Sequence, residues 1–144
     1  MKICIDIDGV LCELRKPEQA YAEVRPLPGA VEKMSALKAA GHYLILCTAR
    51  HMATCNSNVG LVVARQGKTL LDWLGENKIP YDELWFGKPH ADVYLDDNAH
   101  RFTGWNEIAG DGSNLPVSHE KSKAHLSPSP GQRPPSPPVG ERAG

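Results

Sequence analysis

Four aspartates occur in two pairs, Asp6 with Asp8 and Asp96 with Asp97, and each pair comes at the end of a short apolar run. Thr48 ends the apolar run 43–47, and Lys88 follows the run 84–86. Four carboxylates brought into one crevice would repel one another, and a divalent cation is the natural way to stabilise them. A ligand set of Asp6, Asp8, Asp96 and Asp97 is all oxygen and favours Mg²⁺. Zinc, which usually takes nitrogen or sulfur, is disfavoured. A hydroxyl and an ammonium facing such a cluster supply donors and positive charge for the non-bridging oxygens of a phosphate. The chemistry implied is phosphoryl transfer.

These residues act together only if the fold gathers them. Residues 2–7 read as a strand, with Ile3, Ile5 and Ile7 alternating with Cys4 and Asp6 until Gly9 breaks the pattern. Pro28, the helical spacing of Ala30, Val31, Met34 and Leu37, and Gly41 just beyond predict an amphipathic helix. Residues 43–47 form a continuous apolar run, as expected of a strand covered on both faces. The polar stretch 49–66 reads as a long loop, and 69–77 as a helix carrying Leu70, Trp73 and Leu74. Residues 84–86 and 93–95 complete the expected strands, and Trp73, Trp85 and Phe86 read as core. Strands alternating with helices imply an α/β fold with a Rossmann-like parallel sheet covered by helices on both faces. Ligands in such sheets bind outside the strands' carboxyl ends, where all six polar residues fall.

Composition limits the rest. Of 144 residues, 113–144 hold seven of the twelve prolines and six serines but no aromatic residue, so this segment is expected to be a disordered Pro/Ser-rich tail behind a domain of residues 1–112. The domain's formal charge is −3 and the tail's +2, which argues against a nucleic-acid binder. The longest apolar run is five residues, too short for a membrane span or a secretory signal. The four cysteines, at 4, 12, 47 and 55, form no CxxC pair, so reduced thiols in the cytoplasm are expected, with Cys4 and Cys47 packed as small hydrophobes.

In sequence order, the segments Ile3-Cys4-Ile5-Asp6-Ile7-Asp8-Gly9, Leu46-Cys47-Thr48-Ala49-Arg50, Gly87-Lys88-Pro89 and Tyr94-Leu95-Asp96-Asp97 resemble the four motifs of the haloacid dehalogenase superfamily of aspartate-nucleophile phosphatases. The likeness spans residues 3–97. Within the superfamily the chain is most similar to small capless bacterial phosphatases of capsule or surface-polysaccharide biosynthesis. The resemblance implies a capless core and Mg²⁺-dependent hydrolysis of a phosphomonoester. Asp6 would be the nucleophile that becomes an aspartyl-phosphate, and Asp8 the acid and then the base. Thr48, the Ala49 amide, Arg50 and Lys88 would bind the phosphoryl group, and Asp6, Asp8, Asp96 and Asp97 would serve the metal. The implied substrate is a sugar phosphate or related small metabolite. An open crevice is also compatible with a homo-oligomer whose neighbouring subunit closes the site.

Three other readings compete. Gly67-Lys68-Thr69 suggests a P-loop, but that motif needs a glycine where Val62 stands. A phosphate-receiver signalling module shares the chemistry but has no equivalent of Asp8. A catalytically inactive relative would keep only metal or phosphate binding. A polynucleotide-end phosphate is the alternative substrate, made less attractive by the acidic domain.

Overall fold

The computed structural model describes residues 1–117. Its elements are β1 (Lys2–Asp6), α1 (Ala30–Ala39), β2 (Tyr43–Thr48), α2 (Val59–Glu76) and β3 (Glu83–Phe86), with single 3₁₀ turns at Tyr21–Glu23 and Trp105–Glu107. The three strands form one parallel sheet in the order β1-β2-β3, with Ile5 opposite Leu46 and Leu46 opposite Leu84. The fold is α/β.

Local chemistry accounts for most boundaries. Helix α1 ends in a Schellman arrangement, in which the His42 amide donates to the Leu37 carbonyl (3.2 Å) and the Gly41 amide to that of Lys38 (3.0 Å). Gly41 permits this turn with a φ of 88°. Helix α2 begins ten residues before the expected start at 69, because Asn58 caps it by accepting a hydrogen bond from the Leu61 amide (3.1 Å). Its buried stripe runs through Val62, Gly67, Leu70, Trp73 and Leu74. Gly60 and Gly67 conceal the helical character of 59–66 in the sequence.

Both crossovers, through α1 and then α2, step one strand in the same direction. Right-handed connections of that kind place both helices on one face of the sheet. Ile5, Ile7, Leu44 and Leu46 on that face form one core with Met34 and Leu37 of α1 and with Leu70, Trp73 and Leu74 of α2. The Trp73 indole also donates to the Val24 carbonyl (2.7 Å), anchoring the 3₁₀ turn region to α2.

Among the described residues, helices therefore cover only one face of the sheet. The opposite face carries Cys4, Ile45, Cys47 and Trp85 around an open groove, and Trp85, expected in the core, is 58% exposed. Cys4 is likewise exposed, with its sulfur 3.6 Å from that of Cys47.

The fourth expected strand does not form. The residues 93–95 are exposed, Leu95 to 97%, and belong to no sheet. A parallel strand needs a crossover of about a dozen residues, whereas only 87–92 separate this segment from β3.

Beyond this loop the chain returns to the core. Trp105 is buried and donates its indole N–H to the Val10 carbonyl (2.6 Å), while Phe102, Ile108 and Leu115 pack against the core. Asn114 accepts from the Ala109 amide (2.9 Å) and donates to the Glu107 carbonyl (2.8 Å). The globule thus continues through Leu115, past the expected boundary at 112, because one leucine and one asparagine of the proline-rich stretch still have partners. The rest of the expected tail, 118–144, lies outside the described residues. No helix among the described residues is long and apolar enough to cross a membrane.

Candidate active site

Strand β1 places Asp6 at its carboxyl end. Beyond it the Leu11 and Cys12 amides both donate to the Ile7 carbonyl (2.9 and 3.2 Å), a tight turn that Gly9 permits with a φ of 83°. Asp8 sits in this turn. Strand β2 ends in Thr48, which is fully buried; its hydroxyl oxygen accepts from the Arg50 amide (3.0 Å). The Thr48 carbonyl accepts from the Lys88 amide (3.1 Å), tying the residue after β3 to the tip of β2. Gly87 makes that approach possible, since its φ is 95° and a Cβ there would lie 2.8 Å from Val59 Cγ2. Ala49 continues the exit from β2, its carbonyl accepting from the Met52 amide (3.0 Å).

The side chains meet as two ion pairs. Lys88 Nζ lies 2.9 Å from Asp6 Oδ2, while Asp6 Oδ1 accepts from the Ile7 amide (2.9 Å). Arg50 Nε donates to both oxygens of Asp8 (3.1 and 2.9 Å). Arg50 is only 3% exposed, and its guanidinium also contacts Cys12 Sγ (3.6 Å) and stacks 4.4 Å from the centre of the Tyr21 ring. Its Nη1 is buried and has no hydrogen-bond partner among the described residues. A buried unpaired guanidinium nitrogen is uncommon, and its natural complement is an anionic oxygen. The structure therefore brings Asp6, Asp8, Thr48, Arg50 and Lys88 together at the carboxyl ends of adjacent parallel strands.

Comparison with solved structures agrees with this architecture. The crystal structure of a Vibrio cholerae target protein is similar over 85% of this chain and 94% of its own, at 28% identity and a TM-score of 0.66. A chain of a Pnkp1/Rnl/Hen1 complex matches 67% of this chain and 30% of its own at 24% identity, with a TM-score of 0.44, too distant to bear on the fold. No family model and no curated protein matches the chain.

The expected metal cluster is not assembled. Among the described residues, no three His, Cys, Asp or Glu side chains group in a way that would hold a metal ion. Asp6 and Asp8 instead take cationic partners, and Asp96 and Asp97 stand in the exposed 91–100 loop, where Asp96 Oδ1 accepts from the Asn98 amide (2.7 Å). The fourth strand expected to carry the second pair of carboxylates to the tip of β1 does not form. In this arrangement the carboxylates of Asp6 and Asp8 are turned to Lys88 and Arg50. The loop does approach the site through Tyr94, whose ring lies 4.5 Å from Lys88 Nζ and whose hydroxyl donates to the Pro89 carbonyl.

Two participants carry no sequence signal. Tyr21 and Cys12 lie far from Arg50 along the chain and have no motif of their own, yet both contact its guanidinium. Burial acts to lower the pKa of Lys88, but the hydrogen bond and charge of Asp6 outweigh it and hold the ammonium above its ordinary range. The contact with Cys47 outweighs burial and, aided by the charge of Lys88, brings the Cys4 thiol down to about 7.

Burial, followed by the charge of Asp8, pushes the Cys12 thiol up to about 12. An unfolded thiol titrates near about 8.5, so below that pH both states hold the proton and the stabilisation is fully present. As pH rises toward about 12 the unfolded chain loses its proton first, and this contribution disappears. Denaturant midpoints measured across the alkaline range should fall more steeply for the native sequence than for Cys12→Ala. Parallel slopes would contradict the buried-thiol account.

Proposed function

We propose that this chain is a phosphomonoester hydrolase of the haloacid dehalogenase type, acting through an aspartyl-phosphate on Asp6. Its substrate is a sugar phosphate or a related small phosphorylated metabolite. The reading rests above all on the buried, unpartnered Nη1 of Arg50 beside two carboxylates and an ammonium at adjacent strand ends.

A phosphoryl group entering between Lys88 and Arg50 exchanges their carboxylate contacts for its own oxygens. That frees Asp6 Oδ2, whose lone pair attacks phosphorus while the bond to the ester oxygen breaks. Asp8, released by Arg50, takes up a proton from solvent and delivers it to the departing oxygen, so the alcohol leaves neutral. In the second half, a water attacks the aspartyl-phosphate and gives a proton to Asp8. The Oδ–P bond then breaks, releasing inorganic phosphate and restoring both carboxyl groups. Lys88 and Arg50 stabilise the charge on the phosphoryl oxygens in both halves.

Incubating the full chain with an aryl phosphate, with Mg²⁺ and again with a chelator, tests the proposal. Release of stoichiometric phosphate over many turnovers is the expected result. A single burst followed by a persistent phosphoprotein would point to a receiver-like module, and no reaction in either condition would refute the hydrolase.

A further inference from the structure

A recess of about 430 Å³ opens beside Tyr21 and is lined by Arg15, Gln19, Tyr21, His51, Gln66 and Thr69. Arg15 is the one formally charged side chain in that lining, and among the described residues no carboxylate pairs with it. An exposed arginine is ordinarily a solvated charge with wide rotamer freedom. This one is fixed. Its Nη1 lies within hydrogen-bond distance of the carbonyls of Lys16, Pro17 and Gln19 (3.2, 3.2 and 2.8 Å), and its guanidinium carbon is 4.9 Å from the centre of the Tyr21 ring. Nε and Nη2 donate to nothing among the described residues. Arg15 therefore keeps its charge and part of its donor fork free, while the entropy of holding the side chain still has already been lost in folding.

Tyr21 ties this cation to the proposed phosphoryl site. The same ring stacks 4.4 Å from the Arg50 guanidinium, whose Nε binds Asp8. Two guanidinium groups thus share one aromatic ring, and like charges so placed repel. Arg50 is balanced by Asp8. Arg15 has no such counterpart, and a planar fork with open donors suits the paired oxygens of a carboxylate or a phosphate.

We infer that Arg15 binds an anionic group, a carboxylate or a phosphate, and that in the proposed hydrolase this group is a second anion on the substrate. Arg15 is then a specificity-determining residue. It selects phosphomonoesters that carry another negative charge within reach of the Tyr21 ring, while the scissile phosphoryl group lies against Arg50 and Lys88. That both anions belong to one substrate rests on the hydrolase reading; the binding of an anion by Arg15 does not.

The test is a calorimetric titration of the full chain, run with a chelator to hold back hydrolysis, against a hexose monophosphate, a phosphorylated aldonic acid and a hexose bisphosphate. At least one of the last two is expected to bind at least about tenfold more tightly than the monophosphate, the scale of one hydrogen bond to a charged group. The aldonic acid reports a carboxylate site and the bisphosphate a phosphate site. Raising the salt concentration should shrink the advantage, because the site is open to solvent. Arg15→Gln should abolish it, and Arg15→Lys should keep part of it, since a point charge remains without the fork. On the native sequence the favoured probe should also shift the Arg15 Nε–H resonance where the monophosphate does not, so a variant that fails to fold leaves the test intact. Equal affinity for the three probes, no binding of any, an advantage that survives Arg15→Gln, or an unmoved Arg15 resonance would overturn the inference. Selective binding by a chain that hydrolyses none of the probes would uphold the anion site and refute the hydrolase. Hydrolysis of all three with equal kcat/KM would refute the specificity role and leave the hydrolase standing.

Discussion

Asp6→Asn is expected to reduce turnover of an aryl phosphate by at least about four orders of magnitude, the scale seen when a covalent nucleophile is removed. The side chain keeps its shape, and an amide oxygen still accepts from the Ile7 amide as Asp6 Oδ1 does at 2.9 Å. What disappears is the anionic oxygen that attacks phosphorus and the ion pair to Lys88. Both side chains of that pair are partly exposed, so its loss costs about 0–1 kcal/mol of stability. Thermal denaturation should therefore remain close to that of the native sequence while hydrolysis falls to background. Retained activity would mean that Asp6 is not the nucleophile.

The second large effect is expected at Lys88. Lys88→Met preserves the length of the stem and removes only the ammonium, which in the proposed reaction passes from Asp6 to a phosphoryl oxygen. Removing one such donor typically costs about 10²–10³ in kcat. The backbone should not move, since the left-handed Gly87 and the Lys88 amide bond to the Thr48 carbonyl (3.1 Å) are unaffected. Lys88→Arg should recover part of the rate, because it restores the charge at a different geometry. Steady-state measurement separates the possibilities: a loss in kcat fits a group that acts in the transition state. A rise in KM alone would reduce Lys88 to a ground-state binder, and no change would place it outside the reaction.

Those two residues were legible from the sequence because their signals are local. Alternation of Ile3, Ile5 and Ile7 before Asp6 describes a strand with a carboxylate at its end, and Gly87 before Lys88 marks a backbone that must turn tightly. Helix α1 was equally plain, bounded by Pro28 and by Gly41 in its Schellman turn.

Other features depended on partners that no local pattern encodes. The start of α2 was masked by two glycines whose low helix propensity is overridden by burial and by the Asn58 cap. The run 43–47 is apolar throughout, yet only Leu44 and Leu46 face the helices, because the order of the strands puts both crossovers on one side. Residues 93–95 have the composition of a strand but too short a connection to become one beside this sheet. For the same reason Asp96 and Asp97, which look equivalent to Asp6 and Asp8 in sequence, end in an exposed loop. The pairing of Arg50 with Asp8 joins residues 42 apart, and only the fold reveals it.

The central claim is a covalent bond between Asp6 and phosphorus. Rapid acid quench of the native chain during turnover, followed by peptide mass spectrometry, measures it directly. The account predicts a transient increment of one phosphoryl group on the peptide containing Asp6, absent from Asp6→Asn. Steady hydrolysis with no such increment at any quench time, or an increment on another residue, would contradict it.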